Sequence, residues 1–141
     1  MPVEIEVARG EEAAEFLKKT QREALSTLYG FPVIWHEQRH EFFARDAGQV
    51  IGVACLRIAA SLGYVEALSV LPAQRRRGAG RALLQRCEEV SNYYNCHKMT
   101  LEVPSGMPAA AFFRACGYHL EATMPQHIFK KDVDIMRKFL L

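Results

Sequence analysis

The chain has 141 residues, of which 50% are hydrophobic and 24% are charged, and its formal net charge at pH 7 is +2. That length and composition are typical of one soluble domain with a sizeable core. The small net charge does not indicate nucleic acid or a membrane surface as a partner. No apolar run approaches the roughly 20 residues that span a bilayer, and the first residues lack the basic and apolar regions of a secretory signal. We therefore expect one cytoplasmic domain over residues 1–141.

The cysteines show no pattern of pairing. They are Cys55, Cys87, Cys96 and Cys116, and no two are spaced as C-x-x-C. Each lies in an apolar or helical stretch, which predicts four reduced thiols, most of them buried like small hydrophobic side chains. No neighbouring residue favours a catalytic thiol.

The N-terminal part of the chain has one strand pattern and one helix pattern. Residues 3–8 alternate apolar and polar side chains, as a half-buried strand does. Residues 11–29 carry apolar side chains at helical spacing, with acidic residues in the first turn. The Gly-Phe-Pro at residues 30–32 ends this helix. The stretch from there to His40 is ambiguous and is compatible with a short second helix.

A meander of three strands follows, and then a further helix. The strands are predicted over residues 41–45, 49–59 and 64–71, with tight turns at Asp-Ala-Gly and Ser-Leu-Gly. The helix begins near Gly80 and has one apolar stripe. That stripe consists of Leu83, Cys87, Val90 and Tyr94.

The last third contains one more helix and three strands. A strand is predicted over residues 98–103, and a helix runs from Pro108 to its stop at Gly117. Two closing strands cover residues 118–124 and 133–139. Because strands and helices interleave around a meander, we expect one α/β domain with a mixed central sheet of six to seven strands and about four helices.

The strongest local signal is a glycine-containing turn between an apolar strand and a helix, over residues 74–81. The N-terminus of a helix presents free backbone N–H groups and therefore favours an anion. Gly78 and Gly80 lack Cβ atoms and let a phosphate approach the main chain closely. Positive charge that can contact phosphates directly comes from Arg75, Arg76 and Arg77.

This loop differs from two other glycine loops that bind phosphates. It lacks the lysine and hydroxyl of G-x-x-x-x-G-K-[ST], and Leu83 stands where G-x-G-x-x-G needs its third glycine. No aromatic or basic stripe accompanies the arginines, which argues against a nucleic-acid site. Taken alone, the glycines are equally compatible with a solvated surface turn.

Arg75-x-x-Gly78-x-Gly80 resembles the R/Q-x-x-G-x-G/A signature of the GNAT superfamily of N-acetyltransferases, in the same place between a strand and a helix. Residues 109–118 are similar to that family's A-x-x-[LF]-Y-x-x-x-G-[FY] segment, and residues 134–140 resemble its closing strand. The resemblance implies a sheet whose two parallel central strands splay apart around acetyl-coenzyme A. It also implies an acetyltransferase that acts on an amine and needs no metal.

The same resemblance implies which residues hold the cosubstrate. The main-chain amides of residues 75–80, including Ala79, would bind the pyrophosphate. Leu68-Ser69-Val70 resembles the strand segment that pairs with the pantetheine arm, through the main chains of Leu68 and Val70. Dimers are common in the family, so a homodimer is possible, and the sequence does not identify the amine.

Acetyl transfer to an amine needs a group that takes the amine proton, and a carboxylate can do so. We expect Glu66 to share a strand face with Tyr64, Leu68 and Val70, since alternate residues point the same way. Glu102 resembles the glutamate base of the ribosomal-protein N-terminal acetyltransferases. For both glutamates the alternative is the exposed side of a half-buried sheet. The Val70 N–H would stabilise the oxyanion.

The sequence departs from the family pattern at two positions. The usual tyrosine acid falls at Phe113, which we expect beside the cosubstrate sulfur although it has no proton to donate. The asparagine often found seven residues earlier falls at Gly106. Tyr64 and Tyr118 are possible substitutes for the acid, although Tyr118 suits a core position better. These departures leave open a non-catalytic acyl-coenzyme A-binding or regulatory module.

The segment after the first helix carries two further patterns. Residues 36–40 match H-E-x-x-H, but this zinc motif works only on a helix, and His40 runs directly into a strand pattern. We therefore expect no zinc site. The aromatic side chains of this segment would line an acceptor pocket or form a lid on the sheet, and they are Tyr29, Phe31, Trp35, His36 and His40.

Overall fold

The computed structural model describes residues 2–33, 35–75 and 77–140. The chain divides into two units, Met1–Trp35 and His36–Leu141. In the first unit, helix α1 spans Glu12–Tyr29 as predicted, and the left-handed Gly30 ends it by donating its N–H to the Ser26 carbonyl over 2.9 Å. None of the helices in the described ranges is long and apolar enough to cross a membrane.

The predicted strand at residues 3–8 is wrong, because residues 2–9 form neither helix nor strand. The apolar side chains of its alternating pattern, Val3, Ile5 and Val7, are all exposed. Alternation specifies which side chains a strand would bury, but a strand forms only when a neighbour accepts its main-chain hydrogen bonds.

The second unit is built on one six-stranded sheet with the order β1-β2-β3-β4-β6-β5. The strands are β1 (Gln38–Asp46), β2 (Gln49–Ala59), β3 (Leu62–Val70), β4 (Lys98–Pro104), β5 (His119–Ile128) and β6 (Lys131–Phe139). The helices are α2 (Ala79–Tyr93) and α3 (Ala109–Ala115), and a 3-10 turn covers Pro72–Gln74. The mixed α/β class is confirmed, with three described α-helices rather than four. β1 begins where a short helix was considered.

Strands β3 and β4 run parallel and then separate. Their pairing extends from Leu62 opposite Lys98 to Val65 opposite Leu101. Beyond that last pair, β3 continues to Val70 while β4 ends at Pro104. The predicted splay of two parallel central strands is therefore confirmed, and the separation creates a fork in the middle of the sheet.

Helix α2 covers one face of the sheet and supplies much of the core. Its residues Leu83, Leu84 and Cys87 are buried, as the apolar stripe predicted for two of them. Cys87 and Cys96 are buried, while Cys55 and Cys116 are half-buried, and all four thiols are unpaired. The buried cluster continues through strands β2, β3, β4 and β6 with Ala54, Leu56, Ile58, Val65, Met99, Leu101, Val103 and Met136, and it includes Phe113 of α3 and Tyr118.

Candidate active site

The fork opens into a cleft of about 660 Å³. Its floor is the point where β3 and β4 part, and one wall is the β5–β6 hairpin. Backbone φ angles of 50° at Phe129 and 65° at Lys130 form the two-residue turn at the tip of that hairpin. The lining residues from the sheet are Arg57, Tyr64, Val65, Glu66, Thr100, Leu101, Glu102 and Pro104, and those from the hairpin are Ile128, Phe129, Lys131, Val133 and Ile135.

Both candidate glutamates line this cleft. Val65 and Leu101 form the last parallel pair, so Glu66 and Glu102 are the next residues on their strands, where the pairing has stopped. The structure thus brings together the two carboxylates that sequence reasoning proposed separately. Their place at the fork, rather than on an ordinary solvated sheet face, is what makes them candidates for chemistry.

Glu66 sits on a β-bulge, which corrects the predicted face. Cys55 of β2 pairs with Ala67, but the next residue, Leu56, pairs with Val65, so Glu66 is an extra residue without a partner on β2. The bulge reverses the alternation beyond it. Leu68 and Val70 therefore pack against the core on the α2 side, whereas Glu66 lines the cleft with Tyr64.

Two arginines that sequence reasoning missed contact Glu66. Arg39 Nη1 donates to Glu66 Oε1 over 2.7 Å, and Arg57 Nε lies 3.8 Å from the same oxygen. Arg57 also lies over the ring of Tyr64, with its Cζ 4.0 Å from the ring centroid. Arg39 pairs with Arg57 across β1 and β2, and Arg57 with Tyr64 across β2 and β3. Directly paired residues share a face of the sheet. The cluster could therefore have been predicted if the pairing of β1, β2 and β3 had been known.

Glu102 has a different environment. Within the described residues its side chain is exposed and takes part in no ion pair and no side-chain hydrogen bond. It lies opposite Ile135 of β6, another residue of the cleft lining. Of the two carboxylates, Glu102 therefore has its oxygens available to an incoming amine.

The last residues of β3 turn main-chain groups toward the fork. Leu71 N–H donates to the Ile51 carbonyl over 2.9 Å, and alternation along an antiparallel pair then directs the main-chain groups of Ser69 to Val53 of β2. By the same alternation, the main-chain groups of Leu68 and Val70 point away from β2. A thioester arm laid in the fork would meet them there.

The start of α2 has the features expected of an anion site. Gly78 has φ 85° and precedes the helix, and its carbonyl accepts the first intrahelical bond from Ala82 N–H over 3.0 Å. The amides of residues 79–81 come before that bond and so have no acceptor within the helix. A Cβ added at Gly78 would meet nothing within 4 Å.

The arginines of the loop make contacts within the protein. Arg75 Nε donates to the Val70 carbonyl over 3.2 Å, which ties the loop to the end of β3. Arg77 Nη1 donates to Asp46 Oδ2 over 2.8 Å and also contacts Gln74. Arg76, the third arginine predicted to bind the cosubstrate, lies outside the described residues.

A comparison with protein families identifies the family of this chain. The sequence profile of the acetyltransferase (GNAT) family matches residues 10–118, which is more than half of the chain. The chain belongs to the acetyltransferase (GNAT) family. Members of this family use acetyl-coenzyme A, and the open α2 N-terminus and the main-chain groups at the fork fit a pyrophosphate and a pantetheine arm.

Solved structures share this acetyltransferase fold at low identity. An acetyltransferase from Bacillus cereus ATCC 14579 has a TM-score of 0.73 at 17% identity and covers 96% of this chain and 98% of that chain. The ribosomal-protein-S18-alanine N-acetyltransferase from Escherichia coli has 0.66 at 20% identity, covering 85% and 88%.

A protein from Bacillus anthracis str. Ames, crystallised in complex with acetyl coenzyme A, has a TM-score of 0.68 at 18% identity, covering 72% of this chain and 62% of that chain. At such identities these likenesses establish the fold alone. No curated protein sequence matches this chain.

The chain has an apolar, buried residue where the family has its usual tyrosine acid. Phe113 is only 8% exposed, and its ring centroid lies 5.1 Å from that of Phe112 and 6.0 Å from that of Tyr118. We expected Phe113 beside the cosubstrate sulfur, and in the structure α3 packs its ring into the core. Phe112 instead lies against the first turn of α2, with its Cζ 3.4 Å from a Cβ added at Gly80.

Of the two tyrosines considered as substitutes, Tyr64 lines the cleft and Tyr118 is a core residue. The Tyr118 hydroxyl donates to Glu88 Oε2 over 3.1 Å, and burial together with the charge of Glu88 raises the pKa of Tyr118. The Tyr118 phenol therefore keeps its proton and stabilises the core. Tyr64 is the phenol that faces the site.

The H-E-x-x-H segment forms no helix. β1 begins at Gln38, and neighbouring residues of a strand point to opposite faces. Arg39 therefore points to the cleft side, while His40 lies on the α2 side with its ring centroid 5.8 Å from that of Tyr94. The two histidines lack the one-turn helical spacing of the zinc motif, and His40 is on the wrong face to line the cleft. Tyr29, Phe31 and Trp35 belong to the first unit and are exposed.

Proposed function

We propose that this protein transfers an acetyl group from acetyl-coenzyme A to an amine held in the cleft, with Glu102 as general base. The observation that carries the proposal is the position of Glu66 and Glu102 at the fork, one residue past the last parallel pair. Both carboxylates line the cleft, and the main-chain groups of Leu68 and Val70, further along β3, point away from β2. A thioester held along the end of β3 would therefore lie close to an amine in the cleft.

The reaction needs a base because amines are protonated at neutral pH. Freeing a lysine-like amine with a pKa of about 10.4 costs about 4.6 kcal/mol at pH 7, whereas an α-amine with a pKa of about 7.8 costs about 1 kcal/mol. A carboxylate within hydrogen-bond reach can take this proton, directly or through a water. Glu102 is favoured over Glu66 because Arg39 already donates to Glu66 at 2.7 Å.

The remaining groups act on the charge that develops. The amine nitrogen bonds to the thioester carbonyl carbon, the carbon–sulfur bond breaks, and the sulfur leaves as a thiolate. The Val70 N–H, directed away from β2, supports the oxyanion formed on the way. A coenzyme A thiol has a pKa near that of cysteine, about 8.5, so the thiolate can leave and take a proton from solvent. The buried Phe113 is then no obstacle to turnover.

A screen of amines with detection of the free thiol tests this function. The panel contains peptides with free N-termini, lysine peptides, polyamines and aminoglycosides, and the acetylated product is identified by mass spectrometry. We expect amine-dependent thiol release above the rate without acceptor. Tight acetyl-coenzyme A binding without turnover for any amine would instead support a non-catalytic acyl-coenzyme A-binding or regulatory module.

A further inference from the structure

Arg57 presents an unusual guanidinium to the cleft. Its side chain is 27% exposed, and its Cζ lies 4.0 Å from the centroid of the Tyr64 ring. Its nearest carboxylate oxygens belong to Glu37, 3.5 Å from Nη1, and Glu66, 3.8 Å from Nε. Both distances exceed the 2.7–3.2 Å range of N–H···O hydrogen bonds. Among the described residues, the Arg57 side chain therefore donates no hydrogen bond.

The cluster contains two arginines and two glutamates, but Arg57 makes no short contact with either carboxylate. Glu66 accepts its short bond from Arg39. Glu37 comes just before β1, is itself exposed, and contacts Arg39 Nη2 at 3.7 Å as well as Arg57. A half-buried guanidinium that lies over an aromatic ring and donates no hydrogen bond can receive a carboxylate with two parallel hydrogen bonds.

The position of Arg57 relative to Glu102 sets the geometry of the ligand. Arg57, Tyr64 and Thr100 lie side by side across β2, β3 and β4, and Glu102 is two residues further along β4. Arg57 and Glu102 are thus two strands and two residues apart, which puts their backbones about 12 Å from each other. One ligand that spans this distance can therefore reach both side chains, and its length is left to the test. The hairpin wall beside them is apolar except for Lys131, and its apolar residues are Ile128, Phe129, Val133 and Ile135.

We propose that Arg57 binds a carboxylate of the acceptor, so that the substrate class is an amine that also carries a carboxylate, with an apolar group against the hairpin. This inference rests on the proposed function, because it takes the cleft as the acceptor site. Arg57 and Tyr64 then determine specificity, while Glu102 receives the amine at the other end.

Matched peptide pairs test the proposal. Leu-Gly, Leu-Gly-Gly and Leu-Gly-Gly-Gly are compared as free acids and as C-terminal amides, which changes the carboxylate but leaves the α-amine and the leucine side chain in place. We expect the acid of at least one length to exceed its amide in kcat/KM by about tenfold or more, as hydrogen bonds to a charged group allow. In Arg57→Gln the acid-to-amide ratio should fall toward one, and Arg57→Lys should be intermediate.

The control is Arg86→Gln, which removes one positive charge from an exposed arginine of α2 on the other side of the sheet. It should keep the wild-type ratio. Equal rates for acids and amides, or a preference that survives Arg57→Gln, would overturn the proposal while leaving acetyl transfer intact. If no peptide is acetylated, calorimetry with coenzyme A present decides: acid-selective binding that Arg57→Gln abolishes supports the site, and its absence overturns it.

Discussion

Glu66 and Glu102 occupy matching positions on the two parallel strands, each one residue past the last pair that the strands share, and both line the same cleft. Their surroundings differ. Glu66 is an extra residue on a bulge and is held by Arg39, whereas Glu102 follows the regular alternation of β4. The fold thereby places an anchored and an unanchored carboxylate at the fork, and this difference is the basis for assigning the base to Glu102.

If the N-terminus of α2 binds the pyrophosphate, a negative charge introduced there should weaken the binding of the cosubstrate. Gly78→Glu should place a negative charge at the open N-terminus of α2 and weaken acetyl-coenzyme A binding by about tenfold or more, since an anion there repels a pyrophosphate. Gly30→Glu is the matched control, because Gly30 has a similar φ of 77° and open space around its Cβ position. Unchanged affinity in a folded Gly78→Glu protein, measured by calorimetry, would contradict the loop assignment.

Phe113→Tyr restores the hydroxyl that the family pattern has at this position. Because Phe113 is buried among rings, the new hydroxyl should be left without a partner and lower the free energy of unfolding by about 1–3 kcal/mol without raising turnover. The readouts are urea unfolding and initial rates. Faster turnover in Phe113→Tyr would show that this ring does reach the thioester.

Lys138 joins three elements of the second unit. Its Nζ donates to Glu88 Oε1 of α2 over 2.7 Å and to the Cys116 carbonyl at the end of α3 over 3.1 Å. Lys138→Met leaves the half-buried Glu88 carboxylate with the Tyr118 hydroxyl alone, and should lower the free energy of unfolding by about 1–3 kcal/mol. Lys19→Met, on the exposed surface of α1, is the control. Equal urea midpoints for the two variants would refute this role.

The hydrogen-bonded carboxylate of Asp134 should make the stability of the fold depend on pH. Hydrogen bonds from Ser105 Oγ at 2.6 Å and Thr123 Oγ1 at 2.8 Å lower the pKa of Asp134 below its ordinary 3.8. A depressed pKa in the folded state stabilises the fold above the unfolded pKa, and this stabilisation is lost as the pH falls through the folded pKa. Asp134→Asn should therefore be less stable than wild type near pH 6, and the gap should close below about pH 3.8. A gap in urea midpoints that stays constant across this range would contradict the assignment.

Helices and turns that depend on neighbouring residues were predicted at the right places in the chain. The helical spacing and the Gly30 stop predicted α1 within a residue at its start, and the turn residues located the β1–β2 hairpin. The alternation at residues 3–8 failed because strand formation depends on a partner elsewhere in the chain. The start of β1 was missed because the H-E-x-x-H and aromatic pattern of residues 36–40 has no clear period.

The candidate site was likewise predicted only in part from the sequence. The glycine loop followed from its motif, whereas the fork and the place of both glutamates beside it were expected from the resemblance to the family. The face of Leu68 and Val70 could not be predicted, because the bulge at Glu66 is visible only in the register between β2 and β3. Arg39 and Arg57 were missed because they are 18 residues apart in sequence. The inward turn of Phe113 depends on how α3 packs, which its short pattern does not specify.

The most direct test of the account is the pH dependence of turnover in Glu102→Gln, measured beside Glu66→Gln and Glu41→Gln. Glu41 is an exposed strand glutamate outside the cleft lining and should behave as wild type. We predict that Glu102→Gln lowers kcat about 100-fold at pH 7 with little change in acetyl-coenzyme A affinity, and that the loss shrinks at high pH, where the amine deprotonates without help. Wild-type turnover in Glu102→Gln, with Glu66→Gln impaired in its place, would contradict the assignment and move the base to Glu66.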